Sequence, residues 1–125
     1  PVGNTLINMK TQPLSPAWLM CEGKVLASAD IANTAKSRRR GLIGHTSIDS
    51  ALVISPCKWI HTIGMKFAID VLYLDATGLV VKTEHLEPMR VAAPVRRSKT
   101  IVELPSGSIE RFGVRVGDLI EVRSA

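Results

Sequence analysis

Residues 68–84 read AIDVLYLDATGLVVKTE, and this stretch decides the fold. Residues 68–74 are apolar on both alternating faces apart from Asp70, the pattern of a strand buried between two layers. Asp75-Ala76-Thr77-Gly78 is turn chemistry, because Asp and Thr side chains bond their own backbone and glycine accepts positive φ. Residues 79–84 then alternate apolar and polar, so the segment turns back as an antiparallel hairpin.

Outward from this hairpin the same signals recur. ALVIS (51–55), TIVELP (100–105) and LIEVR (119–123) are short strand patterns, and residues 18–21 and 25–31 flank a Glu22-Gly23 turn. WIHTIGM (59–65), if extended, puts Trp59, His61, Ile63 and Met65 on one face, with Ile60 and Thr62 on the other. Residues 87–98 hold two prolines and three arginines and read as a long surface loop, while IERFG (109–113) suits one helical turn. One short helix is expected near residues 34–43, capped by Asn33 or Thr34 and stopped by Gly41 and Gly44. Residues 1–17, with Pro13 and Pro16, read as an N-terminal arm or edge strand. The expectation is a mainly-β, compact sandwich-like or barrel-like single domain over residues 18–125, with seven or eight strands and no internal repeat.

Composition sets bounds on function. A chain of 125 residues with 46% hydrophobic and 22% charged residues is one ordinary globular domain, which excludes global disorder. No run approaches the roughly 20 apolar residues of a membrane-spanning helix. No cationic lead precedes an apolar core, so the expected compartment is the cytoplasm, with export open to a chain that begins earlier. Cys21 and Cys57 form no CxxC pair and are expected to be free thiols. The formal charge of +5 suits an anionic ligand or protein partner. Aromatic residues are only 4%, too few for a broad base-stacking platform, so nucleic acid is not the favoured partner.

The residues that could carry chemistry are few. Asp70 and Glu103 stand inside apolar strands, where an unpaired carboxyl costs several kcal/mol, so each should take backbone N–H bonds or a cation. With His61, Thr62 and Met65 they outline a polar cleft on a β scaffold. His61 could work with Asp70 or Glu103 as an acid/base pair, or it could simply be a half-buried, backbone-bonded histidine. Cys57 and His61 would lie about 13 Å apart on one extended strand, too far for one metal ion. Arg38, Arg39 and Arg40 form one basic cluster, and Arg90, Arg96 and Arg97 form another. Together they would make a patch for phosphate or nucleic acid, but a solvated helix face and a solvated loop are the better explanation. Phosphate-cradling glycine loops, GxSxG and HExxH are absent, so no catalytic residue, metal or cofactor is assigned. The residues weigh against an enzyme and toward a noncatalytic binding or accessory domain.

Three blocks, RRRGLIG, IHTIGMKFAIDVLYLD and TIVELPSGSIERFGVRVGDLIEV, resemble the domain of unknown function 192 family over about residues 24–123. The middle block is similar to the branch reading HTxxMxxxIDxxFLD, with Tyr73 where phenylalanine is common and Ala68 where proline is common. The resemblance implies a mainly-β, sandwich-like domain of bacterial type with one helix near its start. It places Arg39 or Arg40 with Gly41-Leu42, and Asp70, Asp75, Glu103, Leu104, Gly107, Gly117 and Asp118, at motif positions, and it implies no activity and no catalytic residues.

Overall fold

In chain order the strands are β1 (Leu14–Cys21), β2 (Lys24–Ala32), β3 (Ala51–Ile54), β4 (Ile69–Leu74), β5 (Val80–Leu86), β6 (Thr100–Pro105) and, after helix α1 (Ser108–Phe112), β7 (Ile120–Ser124). The structure is a computed structural model that describes residues 14–32 and 50–125. The expected helix near residues 34–43 lies outside the described residues. Seven strands form one sheet in the order β5-β4-β6-β3-β2-β1-β7, antiparallel throughout except for the β2–β3 pair. The fold is mainly β, as the short strands and frequent turns require.

The sheet curls until its edges meet. Leu79 bridges Leu119, and Val80 N–H donates to Asp118 O (2.8 Å), Gly117 N–H to Val80 O (2.8 Å) and Ile120 N–H to Gly78 O (2.9 Å). These bonds join the start of β5 to that of β7 and give the sheet a barrel-like closure, which removes an exposed edge. Gly78 is needed there twice over. Its φ is +92°, and a Cβ on it would stand 2.6 Å from the carbonyl oxygen of Ile120.

β1 begins at Leu14, inside the segment read as an arm, and it is not an edge strand, because β2 and β7 flank it. Pro16 is tolerated for a simple reason. Its carbonyl accepts from Ala125 N–H at the end of the β1–β7 ladder, so the position of its missing N–H faces that side and not β2.

Alternation along β3, β4 and β6 sorts the interior into two layers. Val53, Leu72, Leu74, Val102 and Leu104 face inward with Leu19 and Val80. Leu52, Ile54, Val71, Tyr73 and Ile101 face outward and are covered by Ile60, Met65 and Ala92 from the long connections. Each such buried aliphatic side chain contributes about 1.5–3 kcal/mol. The centre of the sheet is therefore buried on both sides, which explains why β4 reads as nearly continuous apolar sequence.

Candidate functional site

The β4–β6 pairing sets Asp70 opposite Leu104 and Val71 opposite Glu103. Directly paired residues share a face and neighbours alternate, so Asp70 points into the barrel and Glu103 points into the outer layer. The two carboxyls sit on adjacent strands and on opposite sides of the sheet. No shared cleft or acid/base pair can form between them.

Asp70 is saturated. Its Oδ2 accepts from Gly107 N–H and Ile109 N–H, both at 3.0 Å, and its Oδ1 accepts from His85 Nδ1 at 2.9 Å. Gly107, at φ +90°, turns the chain so that both amides at the start of α1 reach one oxygen. His85 stands opposite Asp70 on β5, and its Nε2 bonds Glu87. The bond to Asp70, then that to Glu87, raises the imidazole above its ordinary value. Asp70 thus pins the β6–α1 corner, and the histidine beside it is His85, not His61.

Glu103 is the reverse case. It is 3% exposed, and its Oε1 has no hydrogen-bond partner among the described residues. Burial pushes the carboxyl up to about 8, so it holds its proton near neutral pH. On the same face the Tyr73 hydroxyl donates to Glu84 Oε1 at 2.7 Å, and burial followed by that bond holds the phenol well above its usual range.

Residues 57–62 run antiparallel to residues 90–99 as an irregular ribbon over the outer layer. Its bonds are Thr62 N–H to Arg90 O (2.8 Å), Ala92 N–H to Ile60 O (3.1 Å), Val95 N–H to Lys58 O (2.8 Å) and Cys57 N–H to Lys99 O (2.8 Å). Thr62 is fully buried and fastens the two halves. Its Oγ1 donates to Glu87 O (2.7 Å) and accepts from Arg90 N–H (2.8 Å). The expected alternation holds from Trp59 to Ile63, with Ile60 and Thr62 turned inward. It fails at Met65, which a turn at Ile63-Gly64 sends into the core at 4% exposure. Thr62 and Met65 are therefore structural. The His61 Nδ1 accepts from Ile63 N–H at 3.2 Å, and the ring lies 5.6 Å from that of Trp59.

The ribbon's outward side is apolar. Trp59, Ile63, Met89 and Val91 are 44–61% exposed and account for half of the eight exposed large hydrophobics among the described residues. Around them, residues 57–66 and 87–99 carry Lys58, Lys66, Arg90, Arg96, Arg97 and Lys99, against a net +5 for the whole chain. The one carboxyl there, Glu87, is bonded to His85. Lys58 Nζ donates to Arg96 O (2.6 Å), whereas Arg97 leans toward Asp75 at 3.9 Å. Arg38, Arg39 and Arg40 lie outside the described residues, so the two-cluster patch reduces here to the ribbon's own cations. The sequence alone does not reveal this combined surface, because residues 59–65 and 87–98 lie far apart in the chain and meet only through the ribbon's backbone bonds. The shared signal was exposed apolar residues among cations on both.

Elsewhere, an open hollow of about 560 Å³ at the closed end of the sheet is lined by Met20, Glu22, Thr77 and Leu119 and by the motif positions Gly117 and Asp118, but by none of the expected cleft or arginine residues. Neither Cys21 nor Cys57 is in a disulfide, and the Cys57 Sγ donates to Trp59 O at 3.2 Å. No group of three or more His, Cys, Asp or Glu among the described residues is placed to hold a metal, and no described helix is long and apolar enough to cross a membrane.

A model of the DUF192 family, described as Uncharacterized ACR, matches residues 17–122. A UPF0127 protein of Thermococcus sibiricus is 35% identical over 107 residues, which are 80% of this chain and 70% of that protein. Another, of Pyrococcus furiosus, is 44% identical over 62 residues, and the match spans 53% of its length and 50% of this chain. In fold, the chain is similar to a crystal structure of a protein of unknown function from Novosphingobium aromaticivorans, with a TM-score of 0.72 at 15% identity, covering 86% of this chain and 84% of that one.

Proposed function

Starting from the premise that the chain belongs to the DUF192 family of uncharacterised proteins, we propose that it is a noncatalytic binding domain whose contact surface is the outward side of the ribbon. One observation carries the reading. A fully buried threonine and a ladder of backbone bonds tie two connections together, and what they display is Trp59, Ile63, Met89 and Val91 among cations. Such residues cost solubility when left bare and are enriched where a protein meets a partner. The surroundings of the polar groups support a noncatalytic role. Asp70 is consumed by the β6–α1 corner, Glu103 faces away from it, and the Nδ1 of His61 is spent on Ile63. The partner this surface suits is both apolar and anionic.

The test is an amide NMR titration of the whole chain with three anionic probes: a poly-glutamate peptide, a single-stranded oligonucleotide and lipid bicelles containing phosphatidylglycerol. Perturbations from a bound probe should centre on residues 59–63 and 89–91. A map centred on the hollow beside Glu22 and Leu119, or silence with all three probes, would overturn the reading.

A further inference from the structure

We infer that the partner of the ribbon is an anionic lipid surface, a reading that rests on the ribbon being the contact surface at all. The chemistry of the projecting side chains and of the cations beside them points to lipid over other anions. The projecting side chains are one tryptophan and three aliphatic or thioether groups, which suit a headgroup–acyl boundary. Ile63, Met89 and Val91 offer nothing to a phosphodiester or a base, and Trp59 alone cannot make a stacking platform.

Along the chain, Lys58 and Lys66 bracket Trp59 and Ile63, and Arg90 stands between Met89 and Val91 with Arg96 beyond. Long basic side chains can reach phosphates while the apolar tips sink between them. A second copy of the chain is disfavoured, because it would oppose two surfaces of the same positive sign.

Part of the ribbon's backbone is already paired within the protein. Immersion requires the ribbon's own polar groups to be satisfied. Thr62 O accepts from both Met65 N–H (3.1 Å) and Met89 N–H (3.0 Å), while Thr62 N–H, Ala92 N–H and Val95 N–H are bonded across the ribbon. These cross-ribbon groups therefore cost nothing further to dehydrate against a lipid surface.

The experiment is vesicle co-sedimentation with the Trp18→Phe variant, which leaves Trp59 as the only tryptophan. Vesicles of pure phosphatidylcholine are compared with vesicles that also contain phosphatidylglycerol, whose anionic surface attracts basic segments. The expected result is binding to the anionic vesicles alone, a blue shift of Trp59 emission, and loss of binding as salt rises. Ile63→Ser with Val91→Ser, and separately Arg90→Glu with Arg96→Glu, should each weaken it at least about ten-fold, while circular dichroism confirms the fold. No sedimentation with anionic vesicles at low salt overturns the lipid assignment. If poly-glutamate or the oligonucleotide binds instead and the same variants abolish that binding, the ribbon stands as the contact surface and lipid does not. Vesicle binding that ignores both pairs of substitutions overturns the assignment and the ribbon reading together.

Discussion

Asp70 and Glu103 occupy adjacent strands, in similar apolar settings, and meet opposite fates. One receives two backbone amides and an imidazole, while the other presents a buried oxygen with no partner among the described residues. The difference is one step of strand register. Asp70 shares its face with Leu104 and so meets the turn that leaves β6, whereas Glu103 shares its face with Val71 and Tyr73 beneath the ribbon. In a sheet buried on both sides, each carboxyl takes whatever chemistry its own layer supplies. The inner layer supplies a corner to hold, and the outer layer supplies none.

The most forceful way to break this contrast is to remove Asp70. Asp70→Ala strands the amides of Gly107 and Ile109 in a buried corner and deprives His85 of a partner. It should cost about 3–5 kcal/mol, measured by urea denaturation of the whole chain. A loss below about 1 kcal/mol would mean that water replaces the carboxyl and that the corner does not depend on it.

Glu103 should respond in the opposite direction. A buried carboxyl without a partner is a burden, so Glu103→Met should stabilise by about 1–3 kcal/mol near neutral pH. The pH dependence sharpens the test. The folded carboxyl titrates near 8, above the ordinary 4.5, so its contribution is complete below about 4.5 and is lost as pH rises to about 8. Over that window the wild type should lose up to about 1.4 kcal/mol per pH unit relative to the variant. The gain from Glu103→Met should therefore grow from pH 5 to pH 8 and then level off. A gain that does not change with pH would place the carboxyl in contact with solvent.

How far the sequence reveals this contrast follows from chain separation. The hairpin of residues 68–84 was legible because its turn residues carry their own conformational signal, and the inward and outward sorting from Trp59 to Ile63 was legible from alternation alone. That Asp70 and Glu103 diverge was not, because it depends on how β4 pairs with β6 across residues far apart in the chain. His85 was nearly legible. A plain hairpin closing Leu74 on Leu79 would put Thr83 opposite Asp70; pairing of Leu74 with Val80 shifts the register by one residue and the irregularity between Tyr73 and Leu74 by one more, which brings His85 there instead. The proposed cleft failed for the same reason, since period-two logic assigns a face within one strand but not between strands. Its Met65 was misplaced by a single turn at Ile63-Gly64.

The smallest effect should come from His85, which ties the inner carboxyl to solvent. Its side chain is 46% exposed, so water screens both of its ion pairs, and His85→Gln should cost less than about 1 kcal/mol. The sign with pH is still informative. Asp70 and Glu87 raise the folded imidazole above 6.5, so its contribution is complete below that value and disappears as pH rises through the higher folded value. The wild type and His85→Gln should therefore differ in mild acid and converge in alkali. In this direction His85 and Glu103 act alike, both weakening the fold as pH rises, even though they serve opposite faces of the sheet. Combining His85→Gln with Glu103→Met separates them. If the faces are independent, the two changes should add to within about 0.5 kcal/mol at every pH, and a larger coupling would mean that the barrel interior and the layer beneath the ribbon titrate as one unit.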